Sequence, residues 1–427
     1  MADAATASPG EVTARLARFA RSAHARDLWP EVSAAAFRAA QGQLGAVTAA
    51  VLRGDARPVG LERPPTMDAR TLGVAAFAAG IGPLIAYWCE TGVVTTDEDT
   101  ARVLATQLDH GRRRASKLKR ELERVLRSFA DRGIRALVFK GMHTAYRYFP
   151  DPGTRTVSDI DILVPPGTWE DARATLRELG FSESADERHP EQSPWTLPEA
   201  RTIPTLEFAH ADGPWSIDLH RSLGRTAFQG LSATLESPEP AAWDAWRDLT
   251  EPAFALPQPT LLAYLALHTS SHFYSISQLQ LTEIVLVARR DFAAHPERWE
   301  ALDRLIAATR NARFVFPALH LAERFVPGTI DGRVLAHTAA QAPARLRRLV
   351  RRTSPFTAQR LHPFPGLRER FVWIGSPRDA LAAFAWLAWP HDGARLAPPH
   401  RAVGAQWRRI RRATQRILGA WLGPKPG

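Results

Sequence analysis

Residues Leu137–Val164 read LVFKGMHTAYRYFPDPGTRTVSDIDILV. The apolar run IRALVF is a short strand, Lys140-Gly141 a turn, MHTAYRYF a short helix, DPGTR a loop and VSDIDILV a second strand. Alternate side chains of a strand share a face, so Asp159 and Asp161 point one way while Ile160 and Ile162 point the other. On its own, an acidic pair on a strand is ordinarily a solvated edge that blocks strand addition. Two like charges held together inside a fold instead need a cation.

Working outward, three features favour the cation. At the strand-to-helix turn Gly141 lets the backbone approach a ligand, and Lys140, the following amides and the helix N-terminus can meet a phosphate. Arg155 precedes Asp159 by one turn of loop, placed to approach the same anion. Asp218 lies on another apolar-flanked strand, the second of a hairpin read from TLEFAHADGPWSIDLHRSL with its turn near Asp212 and Gly213. Three carboxylates on neighbouring strands hold Mg²⁺ or Mn²⁺, hard cations that take few protein oxygens and otherwise prefer water and phosphate. Two such ions clamp the attacking and leaving oxygens of an in-line displacement at phosphorus, with Asp218 nearest the incoming hydroxyl. The expected site is Asp159, Asp161 and Asp218 for metal and catalysis, with Lys140, Gly141 and Arg155 on the nucleotide phosphates. His220 shares a strand face with Asp218 and suits a metal or substrate contact as well as a structural role. His268 and His272 in HTSSH have helical spacing but lack the internal Glu and third ligand of a zinc protease, and His143 reads as structural or solvent-facing.

A glycine turn, a D-x-D strand and a later single carboxylate resemble the pattern of the polymerase β-like nucleotidyltransferase superfamily. More narrowly, LVFKG with RTVSDIDILV, ATLRELGF and WSIDLHRSL is similar to an uncharacterised bacterial nucleotidyltransferase family that pairs a Lys-Gly turn with R-x-x-x-D-x-D and a later I-D-L-H. The match is dense from about Ile134 to Leu223 and looser across the flanking helices. The resemblance implies metal ligation by Asp159, Asp161 and Asp218 and phosphate contact at Lys140 and Gly141. Where many superfamily members carry Gly-Ser or Gly-Gly, this chain has Lys140-Gly141-Met142; in LQLTEI, Glu283 is the acid nearest a position that is commonly aspartate in the narrower family. The implied activity moves a nucleoside monophosphate from an NTP to a hydroxyl acceptor, whether small molecule, protein or RNA, and releases pyrophosphate. The alternative is a non-catalytic module of the same fold that binds RNA or another anionic partner.

The expected fold is α+β, a small mixed sheet with flanking helices embedded between N- and C-terminal helical regions. The chain divides into a helical region 1–132, an α/β core 133–225, a helical region 226–344 and a basic, proline-punctuated helical tail 345–427. Thr95 with Glu98 is a capping-box pattern for a long helix that ends near Gly133. Leu72–Cys89 is uncharged but broken by Gly80, Gly82 and Pro83, which argues for buried helix rather than a membrane span. The N-terminus has no continuous apolar run of the secretory kind, so a cytoplasmic location is expected. The single cysteine, Cys89, supports neither a disulfide framework nor a thiolate zinc site. Net charge is +11, yet residues 345–427 hold about 17 Lys and Arg against 3 Asp and Glu, so the excess belongs to the tail. There Trp407, Ile410, Ile417 and Trp421 form a stripe among arginines, suited to packing on the body while the arginines meet an anionic partner.

Overall fold

In the strands around the D-x-D motif, side-chain parity splits the molecule into two cores. The computed structural model describes residues 9–22, 29–55, 58–184, 192–197, 216–228, 231–359 and 371–388. Its central sheet is built from β1 (Leu137–Phe139), β2 (Asp159–Leu163), β3 (Ser182–Glu183), β4 (Gln192–Thr196), β5 (Ser216–His220), β6 (Asp244–Trp246) and β7 (Ala253–Ala255). The order across it is β6, β7, β1, β2, β5, β4, β3. Strand β2 runs antiparallel to β1 and parallel to β5, so the sheet is mixed. With helices before, between and after these strands, the fold is α+β as expected.

Val138, Ile160, Ile162, Ile217 and Leu219 enter one core, which they share with Leu118, Leu122, Val125, Leu126 and Phe129 of the long helix Glu98–Ala130. Leu137, Phe139 and Leu163, of opposite parity, join the larger core made by the helices on either side in sequence. Each fully buried aliphatic side chain contributes about 1.5–3 kcal/mol, so slipping β2 by one residue would drive Ile160 and Ile162 out of their core and Asp159 and Asp161 into it. Register is thereby fixed, and the carboxylates lie on the face turned toward the larger helical body.

The long helix serves both cores, with Leu104 and Leu108 in the larger and Leu118 onward in the smaller. At its middle Gly111 meets Gly153 so closely that a Cβ on Gly111 would lie 2.2 Å from the Gly153 carbonyl oxygen. Beside this contact Arg112 bonds Asp151 at 2.8 Å and Glu90 at 2.9 Å. These contacts seat the Asp151–Arg155 loop that leads into β2.

Three expectations shift. Asp97, not Thr95, caps the long helix, accepting from the Thr100 amide at 3.1 Å; Thr95 is taken up by a two-residue strand beside Gly60. The sheet also extends past residue 225, because β7 pairs with β1, and β6 with β7, from within the region expected to be helical. These three-residue strands are too short to show alternation. Finally, β4 lies beside β5 in a stretch read as proline-rich connection, whereas the first strand of the expected hairpin and the tail's aromatic stripe fall outside the described residues. The apolar stretch near Cys89 forms two buried helices, Ala69–Ala79 and Gly82–Glu90, bent by 115° at Gly80. Among the described residues no single helix is long and apolar enough to cross a membrane.

Candidate active site

Strand β1 ends in an unusual backbone. Lys140 has φ 45° and ψ −150°, a combination that residues with a Cβ scarcely populate, and Gly141 follows at φ 27°. Holding Lys140 there costs on the order of 1–3 kcal/mol, and its side chain is what repays the strain. The lysine is buried, and its Nζ lies 3.0 Å from Asp161 Oδ1 and 3.3 Å from Asp159 Oδ2. A Cβ on Gly141 would sit 3.4 Å from the Asp159 carbonyl oxygen and 3.8 Å from Arg155 Nη1. The turn is thus pressed against the start of β2. The helix it feeds, Gly141–Arg147, has only two turns, so the ionic side chains rather than a helix dipole dominate the local field.

The parallel pairing of β2 with β5 sets Asp161 directly opposite Asp218, and Asp159 opposite Ser216. Asp218 accepts from Gln192 Nε2 at 2.7 Å and from Ser216 Oγ at 3.4 Å. Asp161 Oδ1 meets both Lys140 Nζ and, at 3.1 Å, His220 Nε2. Its Oδ2, although buried, has no hydrogen-bond partner among the described residues. One ligand atom each from Asp161, Asp218 and His220 lies within 4.8 Å of the others, the geometry of a metal group. A buried carboxylate oxygen without a donor, facing a second carboxylate and an imidazole, fits a divalent cation better than a neutral ligand.

The two outer carboxylates are driven apart electrostatically. Burial, then the charges of Asp161 and Asp159, pushes the Asp218 carboxyl up to about 7. Burial acts in the same direction on Asp159, but Lys140, a hydrogen bond from Ser158 at 2.9 Å and the Arg155 charge outweigh it and leave Asp159 below its ordinary value. The two carboxyls are therefore pushed in opposite directions, Asp159 below its ordinary value and Asp218 up to about 7.

The structure thus joins Lys140, Asp159, Asp161 and His220 by direct bonds, with Asp218 facing Asp161 from the next strand and Gly141 beside them. Asp159 is tied to Lys140 and Ser158, while the group that could hold a metal ion is Asp161, Asp218 and His220. Arg155 flanks the turn, but its Nε is 2.8 Å from Glu283 Oε1, an ion pair that is almost wholly buried. Sequence reasoning singled out Glu283 only as the acid nearest a position that is commonly aspartate in the family it resembles and gave it no partner, since nothing in a helical acid announces a basic partner so distant in the chain. It also missed Gln192, because that residue's strand had no legible pattern. His143 is structural: buried between Trp246 and Tyr148, its imidazole is pushed down to about 4 by desolvation.

No curated protein and no solved structure matches this chain. A family model described as uncharacterised nucleotidyltransferase matches residues 65–327, which include the whole site and helices on either side of it in sequence. By that match, and in keeping with the turn, the D-x-D strand and the facing Asp218, the chain belongs to the uncharacterised nucleotidyltransferase family.

Proposed function

We propose that the protein transfers a nucleoside monophosphate from an NTP to a hydroxyl-bearing acceptor, releasing pyrophosphate. The observation that carries this reading is the pairing of Asp161 with Asp218 across β2 and β5, next to a strained Lys140-Gly141 turn. Asp161 and Asp218, with His220 beside them, would hold a divalent ion, and Asp159 completes the acidic face. Mg²⁺ or Mn²⁺ bound there supplies Lewis-acid polarisation of the phosphoryl oxygens. The imidazole ligand suits Mn²⁺ somewhat better than Mg²⁺.

The chain's own groups then divide the work. Lys140 and Arg155 offset the triphosphate charge at the turn, and Gly141 leaves room for it. Asp218, in its ionised form, is the group suited to take the acceptor's proton as its oxygen bonds the α-phosphorus, since a carboxyl raised to about 7 is a stronger base than an ordinary carboxylate. As that bond forms, the bond from the α-phosphorus to the bridging oxygen breaks and pyrophosphate leaves with the electron pair. Asp161, fixed by Lys140 and His220, keeps the acidic pair in register during this exchange.

The test is incubation of the pure protein with each α-labelled NTP, Mg²⁺ or Mn²⁺, and small-molecule, protein and RNA fractions. Label on an acceptor that requires Asp161 and Asp218 supports transfer. Nucleotide binding without label on any acceptor, in all fractions, would favour the non-catalytic binding module.

A further inference from the structure

We infer that Glu283 is a positioning residue for the phosphate end of this site, fixing the Arg155 guanidinium against the Lys140-Gly141 turn. The inference rests on the nucleotidyl-transfer reading and assigns a role to a residue outside the sheet. Glu283 lies on the helix Gln278–Phe292, whose start is set by a capping box between Ser277 and Gln280. Its carboxylate is 3% exposed, yet one oxygen, Oε1, accepts from both Arg155 Nε at 2.8 Å and Thr144 Oγ1.

Each partner belongs to a different part of the turn. Thr144 sits in the helix that the turn feeds, with its amide donating to the Lys140 carbonyl at 3.2 Å and its hydroxyl 3.2 Å from the Gly141 carbonyl. Arg155 closes the loop seated by Gly153, and its Nη1 donates to the Thr156 carbonyl at 3.1 Å. A single carboxylate oxygen therefore joins the helix after the turn, the loop before the D-x-D strand and the helical body. Packing alone does not need a charge here: a well-fitted apolar side chain would hold the same helix to the sheet without the desolvation penalty of a buried ion pair. What the carboxylate adds is direction. It occupies Nε while Nη1, bonded to the Thr156 carbonyl, stays beside Gly141, so that the arginine is ordered at the turn before an anion arrives.

The experiment measures binding of each ribonucleoside triphosphate with Mn²⁺ to the full chain by calorimetry, alongside thermal unfolding. The parent should bind at least one NTP. Glu283→Gln should bind it about tenfold more weakly, the loss expected when one charged hydrogen bond no longer orders a phosphate ligand, and Glu283→Asp should recover most of that affinity. Arg155→Ala should be at least as weak, and adding Glu283→Gln to it should weaken binding no further, because both act through one guanidinium. Arg155→Lys keeps the charge without the planar fork, so it should bind like Arg155→Ala; this variant decides the matter even if Glu283→Gln does not fold. Parent-like affinity in Glu283→Gln or Arg155→Lys, or losses that add in the double variant, would overturn the role of Glu283 while leaving nucleotidyl transfer standing. Absence of NTP binding by the parent itself would overturn the nucleotidyl-transfer reading, and this inference with it.

Discussion

Replacing Asp218 by Asn should stabilise the metal-free protein at alkaline pH, although it should abolish transfer. In the folded chain burial and the neighbouring Asp161 and Asp159 raise this carboxyl from 3.8 to about 7. The unfolded chain releases the same proton near the ordinary value, so between those two values the folded state carries the extra proton. Stability linked to this group is therefore complete below about pH 4 and is lost progressively as pH rises to 7. A rise of about three units at 1.36 kcal/mol each sets an upper limit near 4 kcal/mol, and partial solvent access reduces this to about 2–4 kcal/mol. Asn keeps the shape and can still accept from Gln192, but it has no charge to desolvate. In chelator-treated protein the melting midpoint of Asp218→Asn should exceed the parent's by a few degrees at pH 8, and the difference should shrink steadily toward zero as pH falls to about 4. An Asn variant less stable than the parent at pH 8, or an unchanged pH dependence, would refute the electrostatic account of the cluster and leave Asp218 as an ordinary structural partner of Gln192.

Lys140→Ala should weaken NTP binding about tenfold or more, from the loss of a charge-assisted phosphate contact, and parent-like affinity by calorimetry would remove Lys140 from the phosphate site. Gly141→Ala places a Cβ against the Asp159 carbonyl oxygen in a backbone conformation at φ 27°; it should cost on the order of 1–3 kcal/mol in thermal or urea unfolding and depress transfer beyond what the stability loss explains. Deleting residues 401–427, the arginine-rich stretch with the Trp407 and Trp421 stripe, should reduce retention on RNA, with steep dependence on salt in the intact chain; unchanged retention would leave that stretch without an anionic partner.

The sheet strands at the site were legible because two physical signals coincide there. Alternation of Ile with Asp in VSDIDILV and SIDLH fixes which face is apolar, and Lys140-Gly141 marks the break between strand and helix. Side-chain parity alone could therefore anticipate that Asp159 and Asp161 share a face. What it could not supply is register between strands distant in sequence: Asp161 opposite Asp218 depends on β2 and β5 pairing in parallel, and Gln192 reaches Asp218 only because β4 adds antiparallel to β5. The same limit hid the Arg155–Glu283 pair and the short strands β6 and β7, whose three residues show no period. Conversely, the capping pattern at Thr95 misled because two residues with comparable capping chemistry lie near each other, and Asp97 wins by also pairing with Arg63 at 3.1 Å.

Charge balance then links the metal to the nucleotide. Arg155 is paired with Glu283 yet still lends its charge to Asp159, whereas Lys140 pairs directly with Asp159 and Asp161, and Asp218 faces both carboxylates. With all three ionised the cluster would carry excess negative charge, in keeping with the Asp218 carboxyl being pushed up by burial and by Asp161 and Asp159. A triphosphate brings further negative charge to the adjoining turn, and Lys140 cannot serve the carboxylates and the phosphates equally. Divalent ions relieve both repulsions at once, so ion and nucleotide should bind cooperatively, each raising the other's affinity by the same factor. Titrations of NTP with and without Mn²⁺, and of Mn²⁺ with and without NTP, should give the same coupling, on the order of tenfold or more. Asp161→Asn should erase most of that coupling even where some nucleotide binding survives through Lys140. Equal NTP affinity in the presence and absence of Mn²⁺ would mean that the acidic face and the Lys140-Gly141 turn do not form one site.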